Sequence, residues 1–160
     1  MKRKVPFFDY PRLYLDHKDR LLEIFDDIGK RGAFILQKDI EIFEDELAKY
    51  TGSSYSIGVG NGTDAMELIL MSLDIQKEQE VIISSHTMLA TASSIIMAGG
   101  KPVPVDIGDD GLIDPQAIED AISDKTIGIL PTQLNGRCCD MDELLKIANN
   151  ANAHFLVNID

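Results

Sequence analysis

The sequence predicts an α/β protein with three layers, α/β/α, built on a mostly parallel sheet. From residue 55 onward, short apolar runs alternate with amphipathic segments long enough for helices. The connections between successive runs have the length of helical crossovers rather than hairpins, so neighbouring strands should run parallel. With 160 residues and 44% hydrophobic content, the chain can also build one sizeable core.

Residues 1–15 mix aromatic and polar side chains with two prolines and are expected to form an irregular arm. Leu21, Leu22, Ile24, Phe25 and Ile28 predict a helix ending near Gly29 and Gly32. A second helix is expected from about Lys38 to Tyr50, with Ile40, Phe43, Leu47 and Tyr50 on one stripe. On this basis residues 1–37 are arm and first helix, and 38–160 begin the main domain. Tyr55–Val59 is expected to be a strand and Thr63–Leu73 a helix. Glu80–Ile83 predicts a strand, and Thr87–Ala98 a helix closed by Gly99 and Gly100. Pro102–Val105 predicts a strand despite its prolines, which cannot donate to a ladder. Asp114-Pro115 opens a helix as N-cap and first helical residue, with Ala117, Ile118, Ala121 and Ile122 facing inward. Thr126–Leu130 is the next strand. Asp140 and Glu143 form a capping pair for a helix carrying Met141, Leu144, Leu145 and Ala148. His154–Ile159 is the last predicted strand, followed only by Asp160. A chain stopping there is expected to be incomplete.

Charge narrows the function classes. Lys and Arg number 15 against 27 Asp and Glu, a net charge of −12, which repels phosphodiester backbones and argues against nucleic-acid binding. No apolar run has the length of a membrane span, and the basic start, Met1–Lys4, lacks the apolar core of a secretion signal. Cys138 and Cys139 are adjacent, a poor arrangement for a relaxed disulfide, and fit reduced thiols in a cytoplasmic protein. The histidines (His17, His86, His154) have no metal-ligand spacing, so no metal site is expected.

Ligands of parallel sheets sit at the carboxyl ends of the strands. The informative residues are therefore 60–64, 84–88, 106, 131–136 and 160. Gly60-Asn61-Gly62-Thr63-Asp64-Ala65 joins a predicted strand to a helix. It lacks the third glycine of a dinucleotide fingerprint and the Gly-Lys-Ser/Thr of a P-loop. Two alternatives remain: a cup in which the amides of Thr63 and Asp64 and the Thr63 hydroxyl hold a terminal phosphate, or a tight turn capped by Thr63. A carboxylate at Asp160 would suit the protonated pyridine nitrogen of pyridoxal phosphate, although an Asp there more commonly opens a loop or caps a helix. His86 is either a general acid or substrate contact, or a solvated loop residue. Met88 is either a flat cofactor's neighbour or core filler. Pro131-Thr132-Gln133-Leu134-Asn135-Gly136 is either support for a cofactor or a turn.

In order and spacing, these stretches resemble the DegT/DnrJ/EryC1/StrS family of sugar aminotransferases. The resemblance runs from about residue 28 to 160. It is carried by Gly58–Ala65, Glu80–Ile82, Ser85–Thr91, Gly100–Asp106, Ile113–Pro115, Leu134–Gly136 and Asp140–Asp142. It implies the large domain of the type I aminotransferase fold, truncated, and pyridoxal phosphate as cofactor. It also implies a nucleotide-linked keto-sugar as substrate, with glutamate or glutamine as amino donor, and a homodimer. The setting would be amino-sugar biosynthesis for lipopolysaccharide or a similar glycoconjugate. Carried over by position, Gly62, Thr63 and Asp64 hold the phosphate, Met88 takes the ring-stacking place, and Asp160 meets the ring nitrogen.

The stacking residue of the family is usually aromatic, and an acidic residue usually precedes the Asp where Ile159 stands here. The Schiff-base lysine is expected beyond residue 160, since Lys101, Lys125 and Lys146 do not match its position. The 160 residues alone are therefore expected to be inactive. A non-catalytic regulatory protein or a sugar dehydratase on the same fold is the alternative.

Overall fold

A computed structural model of the chain describes residues 5, 6 and 8–159. The chain divides into two compact units between Gly58 and Val59.

The first unit contains two helices, α1 (Tyr10–Arg31) and α2 (Lys38–Thr51). Helix α1 begins well inside the expected irregular arm. Asp9 accepts the Arg12 amide at 3.2 Å as N-cap, and Pro11 falls in the first turn, where a missing N–H costs nothing. Gly29 is passed through, and Gly32, at φ 64°, ends the helix. Arg31 ties α1 to the start of α2 by bonding Asp27 at 2.8 Å and Asp39 at 3.1 Å. Neither helix contains a buried residue.

The predicted strand at 55–59 is absent. A strand needs a ladder, and among the described residues this stretch has none. It is held instead by the Gly58 amide donating to Glu44 Oε1 at 2.6 Å and by the Ser53 hydroxyl donating to the Tyr55 carbonyl at 3.0 Å, while Tyr55 and Ile57 are largely exposed.

The second unit runs α3 (Gly62–Ser72), β1 (Glu80–Ser84), α4 (Leu89–Met97), β2 (Lys101–Val105), α5 (Pro115–Ala121) and β3 (Thr126–Leu130). It continues with β4 (Thr132–Gln133), α6 (Met141–Asn150), β5 (His154–Phe155) and β6 (Asn158–Ile159). The sheet order is β2-β1-β3-β5, and every pairing is parallel. The proline-bearing strand β2 is at the edge, with β1 as its partner, which is where missing donors are tolerated.

The expected single last strand is divided into β5 and β6, in step with the break between β3 and β4. Pro131 causes that break because it has no N–H to donate. Its carbonyl still accepts the Asn158 amide at 3.0 Å, and pairing resumes as Thr132↔Asn158 and Gln133↔Ile159.

Alternation along the strands feeds two faces of the sheet. Val81, Ile83 and Leu130 pack with Met66 and Leu70 of α3 and Ile95 of α4. Ile82, Val105 and Ile129 pack with Ile118 of α5 and Leu144, Ile147 and Ala148 of α6. This is the predicted three-layer α/β/α arrangement. Within α6, Leu145 is exposed and Ile147 takes the inward place expected of it. Each fully buried Leu or Ile here contributes roughly 1.5–3 kcal/mol relative to exposure.

Candidate functional site

Helix α3 ends near the amino edge of the sheet. Ile75, just past α3, packs against Gly100, where an added Cβ would come within 2.8 Å of it, and so marks the edge where β2 begins. From there α3 extends about 16 Å over eleven residues at 1.5 Å each, with Met66 and Leu70 packed on Val81, Ile83 and Leu130 of the sheet. The carboxyl edge receives the loops after β1 and β4. Residues 84–88 and 131–136 meet on that side, where Thr87 Oγ1 lies 2.8 Å from Thr132 Oγ1.

At the turn the N-cap is Asn61, not Thr63. Its Oδ1 accepts the Asp64 amide at 3.0 Å, and its Nδ2 donates to Asp64 Oδ2 at 3.0 Å. Among the described residues, the amides of Gly62 and Thr63 and the Thr63 hydroxyl meet no partner. Two open N–H groups at the positive end of a helix dipole form an anion site in outline. At Gly60 an added Cβ would lie 2.5 Å from Asp64 Oδ2, so a larger residue there would displace the Asp64 carboxylate. A terminal phosphate fits this donor set: the two open amides would hold it, and it would compete with Asn61 for the third, on Asp64.

Met88 precedes α4 as its N-cap residue, with its backbone extended at φ −63° and ψ 145°. Its side chain is 60% exposed, so it is not core filler. Exposure leaves a thioether available to a flat ring. His86 lies outward, and its Nδ1 is 3.1 Å from the Gly111 carbonyl. Arg137 bonds the neighbouring Asp110 carbonyl, so both side chains hold the 108–112 loop.

Gln133 is buried and fully engaged. Its Oε1 accepts the Cys139 amide at 2.6 Å and its Nε2 contacts Met141 Sδ at 2.9 Å, which makes it a structural clasp. Asn135 and Gly136, at φ 55° and 73°, form the tight turn after it. Cys139 is buried and Cys138 exposed, both as free thiols. Burial pushes the Cys139 thiol above its ordinary range.

Asp160 lies outside the described residues. Strand β6, which leads to it, is anchored by Asn158, whose Nδ2 reaches Thr91 Oγ1 at 3.3 Å. Thr91 in turn contacts Thr87, and Thr87 contacts Thr132, each at 2.8 Å. Sequence reasoning missed this buried polar chain. Its one visible trace is the four-residue spacing of Thr87 and Thr91, which would share a face of the helix expected over Thr87–Ala98, although α4 begins only at Leu89.

The lysines of this unit lie away from the turn. Lys101 opens β2 and pairs with Glu80 at 2.8 Å on the amino edge. Lys77 and Lys125 precede β1 and β3, and Lys146 is on the exposed side of α6. Among the described residues no group of three or more His, Cys, Asp or Glu could hold a metal ion. No described helix is long and apolar enough to cross a membrane.

Comparison with known proteins matches this geometry to one family. Residues 16–157 match the model of the DegT/DnrJ/EryC1/StrS aminotransferase family. The chain is 35% identical, over 91% of its length, to UDP-2-acetamido-2-deoxy-3-oxo-D-glucuronate aminotransferase from Pseudomonas aeruginosa. It is 36% identical, over 98% of its length, to a pleiotropic regulatory protein from Geobacillus stearothermophilus. In each case it spans 41% of the relative's length.

Among solved structures it superposes with a TM-score of 0.93 and 32% identity on S. venezuelae DesV in complex with a ketimine intermediate. That match covers 98% of this chain and 42% of DesV. The NtdA protein of Bacillus subtilis with bound cofactor PMP follows at TM-score 0.91 and 32% identity, covering 98% of this chain and 37% of that one.

Proposed function

This chain belongs to the DegT/DnrJ/EryC1/StrS aminotransferase family, and we propose that it forms the cofactor-cradling part of a sugar aminotransferase that uses pyridoxal phosphate. The observation that carries this is the mouth of α3, where the Gly62 and Thr63 amides stand open at a helix N-terminus. Pyridoxal phosphate, when bound, supplies an electron sink that lets an amino group pass between a donor and a keto group.

The chain's own residues supply the setting. Gly62 and Thr63 bind the phosphate through backbone N–H groups, and the dipole of α3 adds a favourable field. Thr63 adds its hydroxyl, and Asp64 offers its amide once Asn61 lets go. Met88 presents an apolar face, weaker in stacking than an aromatic ring. Asp160 is proposed to hold the ring nitrogen protonated. The amine that anchors the cofactor's aldehyde is not expected from Lys77, Lys101, Lys125 or Lys146, which lie away from this edge.

The substrate we propose is a nucleotide-linked keto-sugar, with glutamate or glutamine as donor. The names of the Pseudomonas relative and its fellow transaminases support this. A homodimer, a cytoplasmic setting and a role in lipopolysaccharide or similar glycoconjugate synthesis belong to the same proposal. A regulatory role is the second reading, favoured by the Geobacillus relative's name and by Met88 in the stacking place.

The test is direct. The full gene product, supplied with pyridoxal phosphate, glutamate and a nucleotide-linked 3-keto-sugar, is expected to release 2-oxoglutarate. Cofactor binding without release under any keto-sugar supports the regulatory reading, and absence of cofactor binding overturns both.

A further inference from the structure

Four polar side chains from four separate segments form one continuous hydrogen-bonded chain beneath the carboxyl edge of the sheet. Asn158 of β6 donates from Nδ2 to Thr91 Oγ1 in α4 at 3.3 Å. Thr91 Oγ1 is 2.8 Å from Thr87 Oγ1 in the loop after β1. Thr87 Oγ1 is 2.8 Å from Thr132 Oγ1 in β4. Thr91 and Thr132 are 0% and 1% exposed.

Asn158 Nδ2 can only donate, so Thr91 accepts there, while in each threonine pair one hydroxyl donates and the other accepts, in either sense. If filling space were the only requirement, valine has nearly the shape of threonine and carries no desolvation cost. A satisfied polar chain instead fixes the relative placement of the segments it joins.

Those segments carry the two residues expected to flank a bound ring. Met88 directly follows Thr87, and its carbonyl accepts the Thr91 amide at 3.0 Å. Its side chain makes no cap bond and is exposed, so the backbone on either side must hold it in place. Asn158 lies on β6 two residues before Asp160.

We propose that Asn158, Thr91, Thr87 and Thr132 act as positioning residues that hold Met88 and the end of β6 at a fixed separation, ready for a pyridine ring. This inference rests on the pyridoxal phosphate site proposed above. It adds that ring placement is governed separately from phosphate binding, which belongs to Gly62 and Thr63.

The test uses pyridoxine 5′-phosphate, which has the cofactor's ring and phosphate but no aldehyde, and so forms no imine with surface lysines. Binding is followed by fluorescence and by NMR of the Gly62 and Thr63 amides and the Met88 methyl. In the unaltered chain the probe should shift all three signals. In Thr87→Val, which breaks the chain at its centre, the amides should still shift. The Met88 methyl should not, and the dissociation constant should rise about tenfold, the low end of what losing an outer-shell support costs at metal sites. Thr87→Ser, which keeps the hydroxyl, should restore the Met88 response.

Thr132→Val breaks the chain at its far end and is expected to act in the same direction, so the test stands if Thr87→Val fails to fold. Met88 shifts and affinities equal to those of the unaltered chain in both valine variants overturn the positioning role. Immobile Gly62 and Thr63 amides in the unaltered chain overturn the phosphate site itself, and with it this inference.

Discussion

Asn61 both caps α3 through the Asp64 amide and competes with any anion for that amide. These two roles have opposite consequences on mutation. Asn61→Ala should destabilise the chain by about 1 kcal/mol through loss of the cap. It should not weaken, and should even tighten, binding of pyridoxine 5′-phosphate. Thermal unfolding and a binding titration on the same variant check both signs. The two cysteines divide as sharply. Cys138 is exposed, whereas burial raises the Cys139 thiol above its ordinary range, so less of it is thiolate at any given pH. One thiol per chain should react promptly with a thiol reagent at pH 8, and Cys138→Ser should abolish that fast phase.

Glu80 is the residue with a clear linkage to pH. Its carboxyl is held below its ordinary value of 4.5 chiefly by the bond from Lys101, then by the one from Ser123. A depressed carboxylate contributes stability above its unfolded value and loses it as pH falls through the folded one. Glu80→Gln should therefore lower stability at neutral pH and flatten the decline below pH 4.5, as read from unfolding midpoints across that range. At this scale the sequence was partly legible. Strand-end positions could be picked out, and Asn61 lies one residue inside the turn that was read as capped by Thr63, but the threonine chain depends on contacts between segments far apart in sequence.

At the scale of elements, the interior helices were the most legible. Asp114-Pro115 and Asp140 are caps in the structure as in the sequence, because a cap is a local interaction. Helix α6 packs through Leu144, which has no exposure at all. Leu144→Ala should cost about 2–5 kcal/mol by leaving a cavity between helix and sheet, measurable by chemical denaturation. The misses share a cause. Residues 55–59 have strand-like side chains but no neighbouring ladder among the described residues, and composition does not reveal whether a partner is present. The early start of α1 was hidden because Pro11 reads as a breaker until Asp9 is recognised as the cap that makes it a first-turn residue. The break in the last strand follows from Pro131 on the partner strand, which periodicity along residues 154–159 does not reveal.

For the whole molecule, the three-layer fold followed from the alternation of apolar runs and helical segments, and both faces of the sheet are filled as that alternation requires. The expectation of a site at the carboxyl edge followed from the parallel topology alone. The nature of the ligand did not. The turn at 60–65 allowed a phosphate cup or a plain capped turn, and only the open amides of Gly62 and Thr63, together with the family match, favour the first. Amide NMR of the chain titrated with pyridoxine 5′-phosphate addresses this most directly. Saturable shifts of the Gly62 and Thr63 amides, reversed by excess inorganic phosphate, are the predicted result. Binding that leaves these two amides unmoved, or no binding at all, would contradict the phosphate site at the mouth of α3.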